Sequence, residues 1–143
     1  MKFFYLKAPL LKPSAVLGNF LLKPIIPVKI SHNGKSARYA ALIDSGADFC
    51  IFDAHIGEYL GIDIESGDKE IFGGIQEAPS SVAYFHKIIL TVGDWEYKTV
   101  VGFSYEIARH GYGILGQHGF FNLFEIIFDY SGGEIKLIPK EEN

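Results

Sequence analysis

Apolar runs in this chain are short, and turn residues interrupt them at hairpin spacing; no other feature limits the fold as much. Ile25-Ile26-Pro27-Val28-Lys29-Ile30 reads as a strand, Asn33-Gly34 as a tight turn that accepts positive φ, and Ala37 to Ile43 as the returning strand. The pattern recurs at Ile88 to Val92 and Tyr97 to Phe103 across Gly93-Asp94. It recurs again at Glu125 to Tyr130 and Glu134 to Ile138 across Ser131-Gly132-Gly133. With 16 glycines and 15% aromatic residues, strands and turns are favoured over helices. Two short helical segments are expected. Asp53 caps one that runs through about Leu60 with Gly61 just past its end, and Gly116 to Leu123 forms the other. No linker, low-complexity tract or shift in composition divides the 143 residues, so residues 1–143 are expected to form one β-rich domain with its own core.

Composition removes several functional classes. A net charge of -4 is read as leaving no basic face for nucleic acid and no polybasic membrane patch. The single cysteine, Cys50, permits no intrachain disulfide and no cysteine-based zinc site, and in the run Phe49-Cys50-Ile51-Phe52 it reads as a small core residue. His32, His55, His86, His110 and His118 show no ligand spacing, so no metal is expected. No Gly-x-Ser-x-Gly elbow and no phosphate-binding glycine loop is present. Trp95 reads as core or dimer packing. The greasy stretch from Met1 to Ile26 is broken by Lys7, Lys12 and Lys23 and by Pro9, Pro13 and Pro24. It therefore reads neither as a secretory signal nor as a membrane span, and a cytoplasmic protein is expected. Met1 to Leu6 reads as an added strand or a propeptide-like arm.

The segment that points to chemistry is Ala41-Leu42-Ile43-Asp44-Ser45-Gly46-Ala47-Asp48. An apolar strand delivers a carboxylate into a Ser-Gly turn, and a second apolar run follows. An acid placed there is costly unless it is hydrogen-bonded, paired or protonated. By itself Asp-Ser-Gly is also a common turn tripeptide. Further on, Tyr112-Gly113-Ile114-Leu115-Gly116 is another apolar strand that ends on glycine. Two such strands suggest an internal pair, one holding the acid and one supporting it.

Taken together and in order, these segments resemble the retropepsin-like, single-lobe aspartic proteases. Ile43-Asp44-Ser45-Gly46-Ala47 is similar to the active-site signature of that family, and Ile114-Leu115-Gly116 to the apolar-apolar-Gly element beside it. Phe72-Gly73-Gly74-Ile75 is similar to its glycine-rich flap. The resemblance extends from roughly Pro27 to Pro139. It implies an all-β, closed-barrel lobe with one or two short helices, paired two-fold with a second copy, and an endopeptidase that needs no cofactor. Asp44 would be half of a catalytic dyad, and Ser45 would hydrogen-bond across the axis. Gly46 would leave its carbonyl open to substrate, and Ala47 would keep the floor narrow. Asp48 would meet the main chain of an extended peptide substrate, and Gly73, Gly74 and Ile75 would close over it. The sequence holds one Asp-Ser-Gly, so the second carboxylate must come from another chain in a homodimer. Two departures stand out. Gln117-His118 follows Gly116 where many retroviral enzymes carry an arginine that braces the acid at the position of Asp48, so the brace is missing or rebuilt from Arg38 or Arg109. The flap continues with Gln76-Glu77 instead of more glycines. Two other readings stay open: a catalytically inactive dimerisation or peptide-binding module on the same fold, and a ligand-binding β-sandwich.

Overall fold

The structure, a computed structural model, describes residues 1–72 and 81–141. Strands dominate it. In chain order they are β1 (Lys2–Phe4), β2 (Leu6–Ser14), β3 (Gly18–Lys23), β4 (Ile25–His32), β5 (Lys35–Ile43) and β6 (Ile51–Asp53). After the helix α1 (Ala54–Tyr59) come β7 (Asp68–Phe72), β8 (Ser81–Val92), β9 (Trp95–Ser104), β10 (Gly113–Leu115), β11 (Phe124–Asp129) and β12 (Glu134–Pro139). Short 3-10 turns occupy Ile64–Ser66 and Glu106–His110.

The strand order β4-β5-β10-β6-β9-β8, with β4 also pairing β8, closes a ring, so the fold is all-β with a closed barrel. The long strand β8 makes closure possible. Its first residues pair with β7, Ile89 to Thr91 pair with β4, and Tyr84 to Val92 pair with β9 along the opposite edge. Alternation decides which side chains enter the barrel. Ile26, Val28 and Ile30 of β4 and Ile88, Leu90 and Val92 of β8 are all buried. Phe52, Phe103, Phe120 and Phe124 fill the space between them, each side chain contributing about 1.5–3 kcal/mol through removal from water. Ile135 and Leu137 join the same core, so the three-stranded sheet β1-β12-β11 packs against the barrel. Cys50 lies in this core as well, and burial pushes its thiol up to about 12.

All three expected hairpins form. The first turns at Asn33 (φ 46) and Gly34 (φ 81), the pair of positive angles that a two-residue turn requires. The expected helix also forms, with Asp53 as its cap: the carboxylate accepts from the His55 N–H at 2.9 Å. Met1 to Leu6 supplies an added strand, since β1 pairs with β12.

Two expectations are corrected, and two further features emerge. Residues 116–123 form successive turns, not a helix. The backbone N–H groups of Gln117 and His118 are committed to Ala47 and Asp48, and Gly119, at φ 101, gives its N–H to the Asn122 side chain. Trp95 opens β9 beside the Gly93 turn and is 45% exposed, so it is not core. Residues 6–23, for which no element was expected, form the two-stranded hairpin β2–β3. Finally, the net charge of -4 conceals a segregation. Lys2, Lys7, Lys12, Lys23, Lys29, Lys35 and Arg38 precede Asp44, and all 17 acids lie at Asp44 or beyond. Among the described residues no helix is long and apolar enough to cross a membrane.

Candidate active site

Asp44 stands directly after β5, where the chain leaves the barrel wall. Its position is fixed from both sides of that departure. β10 lies parallel to β5 in the register Gly113↔Ala41, Ile114↔Leu42 and Leu115↔Ile43. One step on, the Asp44 N–H donates to the Leu115 carbonyl at 3.0 Å. The turn then closes on itself. The Ala47 N–H donates to the Asp44 carbonyl at 3.2 Å, and the Gly46 N–H donates to Asp44 Oδ1 at 2.9 Å. A carboxylate that accepts from the backbone two residues ahead is held in one rotamer. Asp44 is half-buried, whereas Ser45, Gly46 and Asp48 are exposed and Ala47 is half-buried. The acid is thus neither sealed in the core nor free on the surface.

The second motif supports the first through backbone contact. Ile114 pairs with Ile51 as well as with Leu42, which places β10 between the strand leading into the Asp44 turn and the strand leaving it. Gly116 follows, buried against the turn. A Cβ there would lie 2.3 Å from the Phe49 carbonyl oxygen and 2.7 Å from that of Ala47. Only glycine lets these segments approach so closely. Gly116→Ala is expected to cost about 2–3 kcal/mol, as overpacking against rigid backbone does, read as a lower urea midpoint.

Beyond Gly116, three bonds tie the chain to the turn. The Gln117 N–H donates to the Ala47 carbonyl at 2.8 Å, the His118 N–H donates to the Asp48 carbonyl at 2.9 Å, and Gln117 Nε2 donates to the Ser45 carbonyl at 2.7 Å. No arginine braces Asp48. The ion pairs among the described residues are Lys2–Glu134 and His55–Asp53, Arg38 lies opposite Lys29 on β4, and Arg109 sits in the 3-10 turn after β9. Gln117 does different work from the expected arginine, holding the main chain of the turn and not the Asp48 side chain. Its importance was visible in the sequence only as a departure from the family pattern. Gln117→Leu is expected to lower stability by about 1 kcal/mol, the net value of one such bond, measured by denaturant unfolding.

Beside the turn lies a cavity of about 270 Å³ lined by Gly46, Ala47, Asp48, Phe49, Ile51, Ile71, Phe72 and Ile114. The side chains lining it are apolar apart from that of Asp48, the one ionisable group. The structure therefore brings together Asp44, Ser45, Gly46, Ala47, Asp48, Ile114, Leu115 and Gly116. The expected flap residues Gly73, Gly74 and Ile75 lie outside the described residues. A larger concavity, about 490 Å³, lies at Ser31 to Asn33, Lys87 to Ile89 and Lys98 to Val100, and it contains none of the residues singled out by sequence. Among the described residues no cluster of His, Cys, Asp and Glu is placed to hold a metal ion.

No protein-family model and no curated protein matches this chain. Among solved structures, the chain is similar to EIAV protease complexed with the inhibitor HBY-793, at a TM-score of 0.46 and 17% identity, over 74% of this chain and 88% of that one.

Proposed function

We propose that this chain is an aspartic endopeptidase that works as a homodimer, with one Asp44 from each copy. The observation that carries this reading is the Asp44 turn itself. A half-buried carboxylate is locked by the Gly46 N–H, backed by the Leu115 carbonyl, and set beside a cavity lined by apolar side chains and Asp48. A carboxylate so placed suits general acid–base work on a bound substrate. In aspartic protease chemistry, hydrolysis of an amide uses two such groups with one proton between them, one to activate water and the other to polarise the carbonyl. A single chain supplies one, and a two-fold axis through the Asp44 turns supplies the other. Water attacks the scissile carbonyl, the ionised carboxylate takes a proton from it, and the other carboxyl, which holds the shared proton, donates it to the carbonyl oxygen, so that a neutral gem-diol forms. The amine then leaves with a proton returned from the dyad. No covalent intermediate and no cofactor enters.

In this reading the substrate is an extended peptide. Asp48 contacts its main chain, and the Ile71, Phe72 and Ile114 cavity takes a side chain. The test is incubation of the purified protein with a diverse peptide library, with new termini identified by mass spectrometry. Cleavage at a reproducible set of apolar-flanked bonds supports the reading. Peptide binding without any new termini would favour the inactive module.

A further inference from the structure

We infer that the Leu6–Lys23 hairpin is an arm by which one copy of the chain clasps a second copy. The inference rests on the dimeric reading above and extends it to a surface that the Asp44 turn does not involve. Among the described residues, strands β2 and β3 pair with each other and with no other strand. The hairpin nevertheless carries a load of apolar side chains. Leu11 is fully exposed, Val16 is 91% exposed, and Leu6, Leu17 and Phe20 are close to half exposed. A lone two-stranded hairpin is marginal in water, and clustered exposed apolar residues mark a contact surface.

Its root says which surface. Pro24, the single residue between β3 and β4, accepts from the Ile43 N–H at 2.9 Å, one residue before Asp44. Lys23 Nζ lies 5.5 Å from the ring of Tyr112, which leads into β10. The Pro24–Ile43 bond therefore sets the root of the arm at the end of β5, next to the Asp44 turn where two copies would meet. Nine extended residues span roughly 30 Å, enough to pass the axis and lie along a partner.

Charge selects the occupant. The hairpin carries Lys7, Lys12 and Lys23 and no acid, and Lys7 Nζ is held 4.0 Å over the Phe20 ring. From Asp44 to Glu70 the same chain has eight acids, with Lys69 as the sole Lys or Arg. A second copy thus presents the complementary charge close to the arm's root, whereas an anionic bilayer would repel that acidic segment.

The test uses the full chain carrying Leu11→Glu with Val16→Glu, and separately Lys12→Glu, all at exposed positions. Sedimentation over a concentration series should show the wild type as a dimer. The double variant should have a dissociation constant raised by about tenfold or more. Lys12→Glu should be weaker in low salt, with the difference shrinking as salt rises. Circular dichroism of each variant at a concentration where the wild type is monomeric checks that the barrel is unchanged. Turnover per dimer should be preserved wherever the variants still dimerise. If the wild type dimerises and both variants match it, the arm inference fails while the dimeric protease stands. A wild type that stays monomeric at every concentration overturns both. Hairpin-dependent binding to phosphatidylserine–phosphatidylcholine vesicles, with dimerisation unaltered in the variants, would overturn the arm in favour of a lipid surface.

Discussion

Asp44→Asn is expected to abolish peptide hydrolysis while leaving the fold in place. The substitution keeps the shape of the side chain, and the amide oxygen still accepts from the Gly46 N–H that now bonds Asp44 Oδ1. The bond from the residue-44 N–H to the Leu115 carbonyl belongs to the backbone and is untouched. Stability should therefore change by less than about 1 kcal/mol, the scale of one hydrogen bond altered in character. Chemistry should change far more, because an amide neither takes a proton from water nor shares one with a partner carboxylate. The loss should reach at least about 100-fold, the lower bound of what a positioned general base contributes. Peptide cleavage followed by chromatography, beside a urea melt of the same sample, separates the two effects. An active variant would remove Asp44 from the mechanism, and an unfolded one would assign the carboxylate to the turn alone.

Local features of this fold were open to direct reading of the residues, whereas the closed barrel was expected only through the family resemblance. The hairpin at Asn33-Gly34 and the helix capped by Asp53 are set by neighbours a few residues apart, and both appear where expected. Closure of the barrel depends on Ile89 to Thr91 of β8 meeting β4 some 60 positions earlier, which no local pattern encodes. β10 has three residues, too few for a periodicity, and stood out only because Gly116 follows it within a family-like order. The β2–β3 hairpin was hidden by Pro9 and Pro13, which argue against a central strand. In a two-stranded ribbon both strands are edges, and proline is tolerated there. At Gly116 to Leu123 the composition allows a helix, but the Gln117 and His118 N–H groups are drawn off by the Asp44 turn. The same contact explains the Gln117 side chain. A residue that binds a main-chain carbonyl has no charge signature, so nothing but the missing arginine drew notice to it.

Mixing wild-type and Asp44→Asn chains should give an activity curve that is quadratic in the wild-type fraction. The reason is geometric. Each chain brings one Asp44 turn to the shared end, so a mixed dimer holds one intact carboxylate opposite an amide and has no proton-sharing pair. Where subunits exchange freely at fixed total concentration, the share of dimers with both acids is the square of the wild-type fraction. At half wild type, activity should fall to about a quarter of its full value, whereas an enzyme complete in one chain would retain about half. Dominance of the variant is thus the diagnostic, and it does not depend on knowing the best substrate. The exchange step can be checked separately with chains of two masses, so that a linear curve cannot be blamed on frozen dimers. Dilution supplies the independent arm: specific activity should drop once the concentration passes below the dimer dissociation constant, because mass action removes the second acid. A linear mixing curve with exchange demonstrated, together with specific activity that survives dilution, would show that Asp44 acts without its symmetry mate.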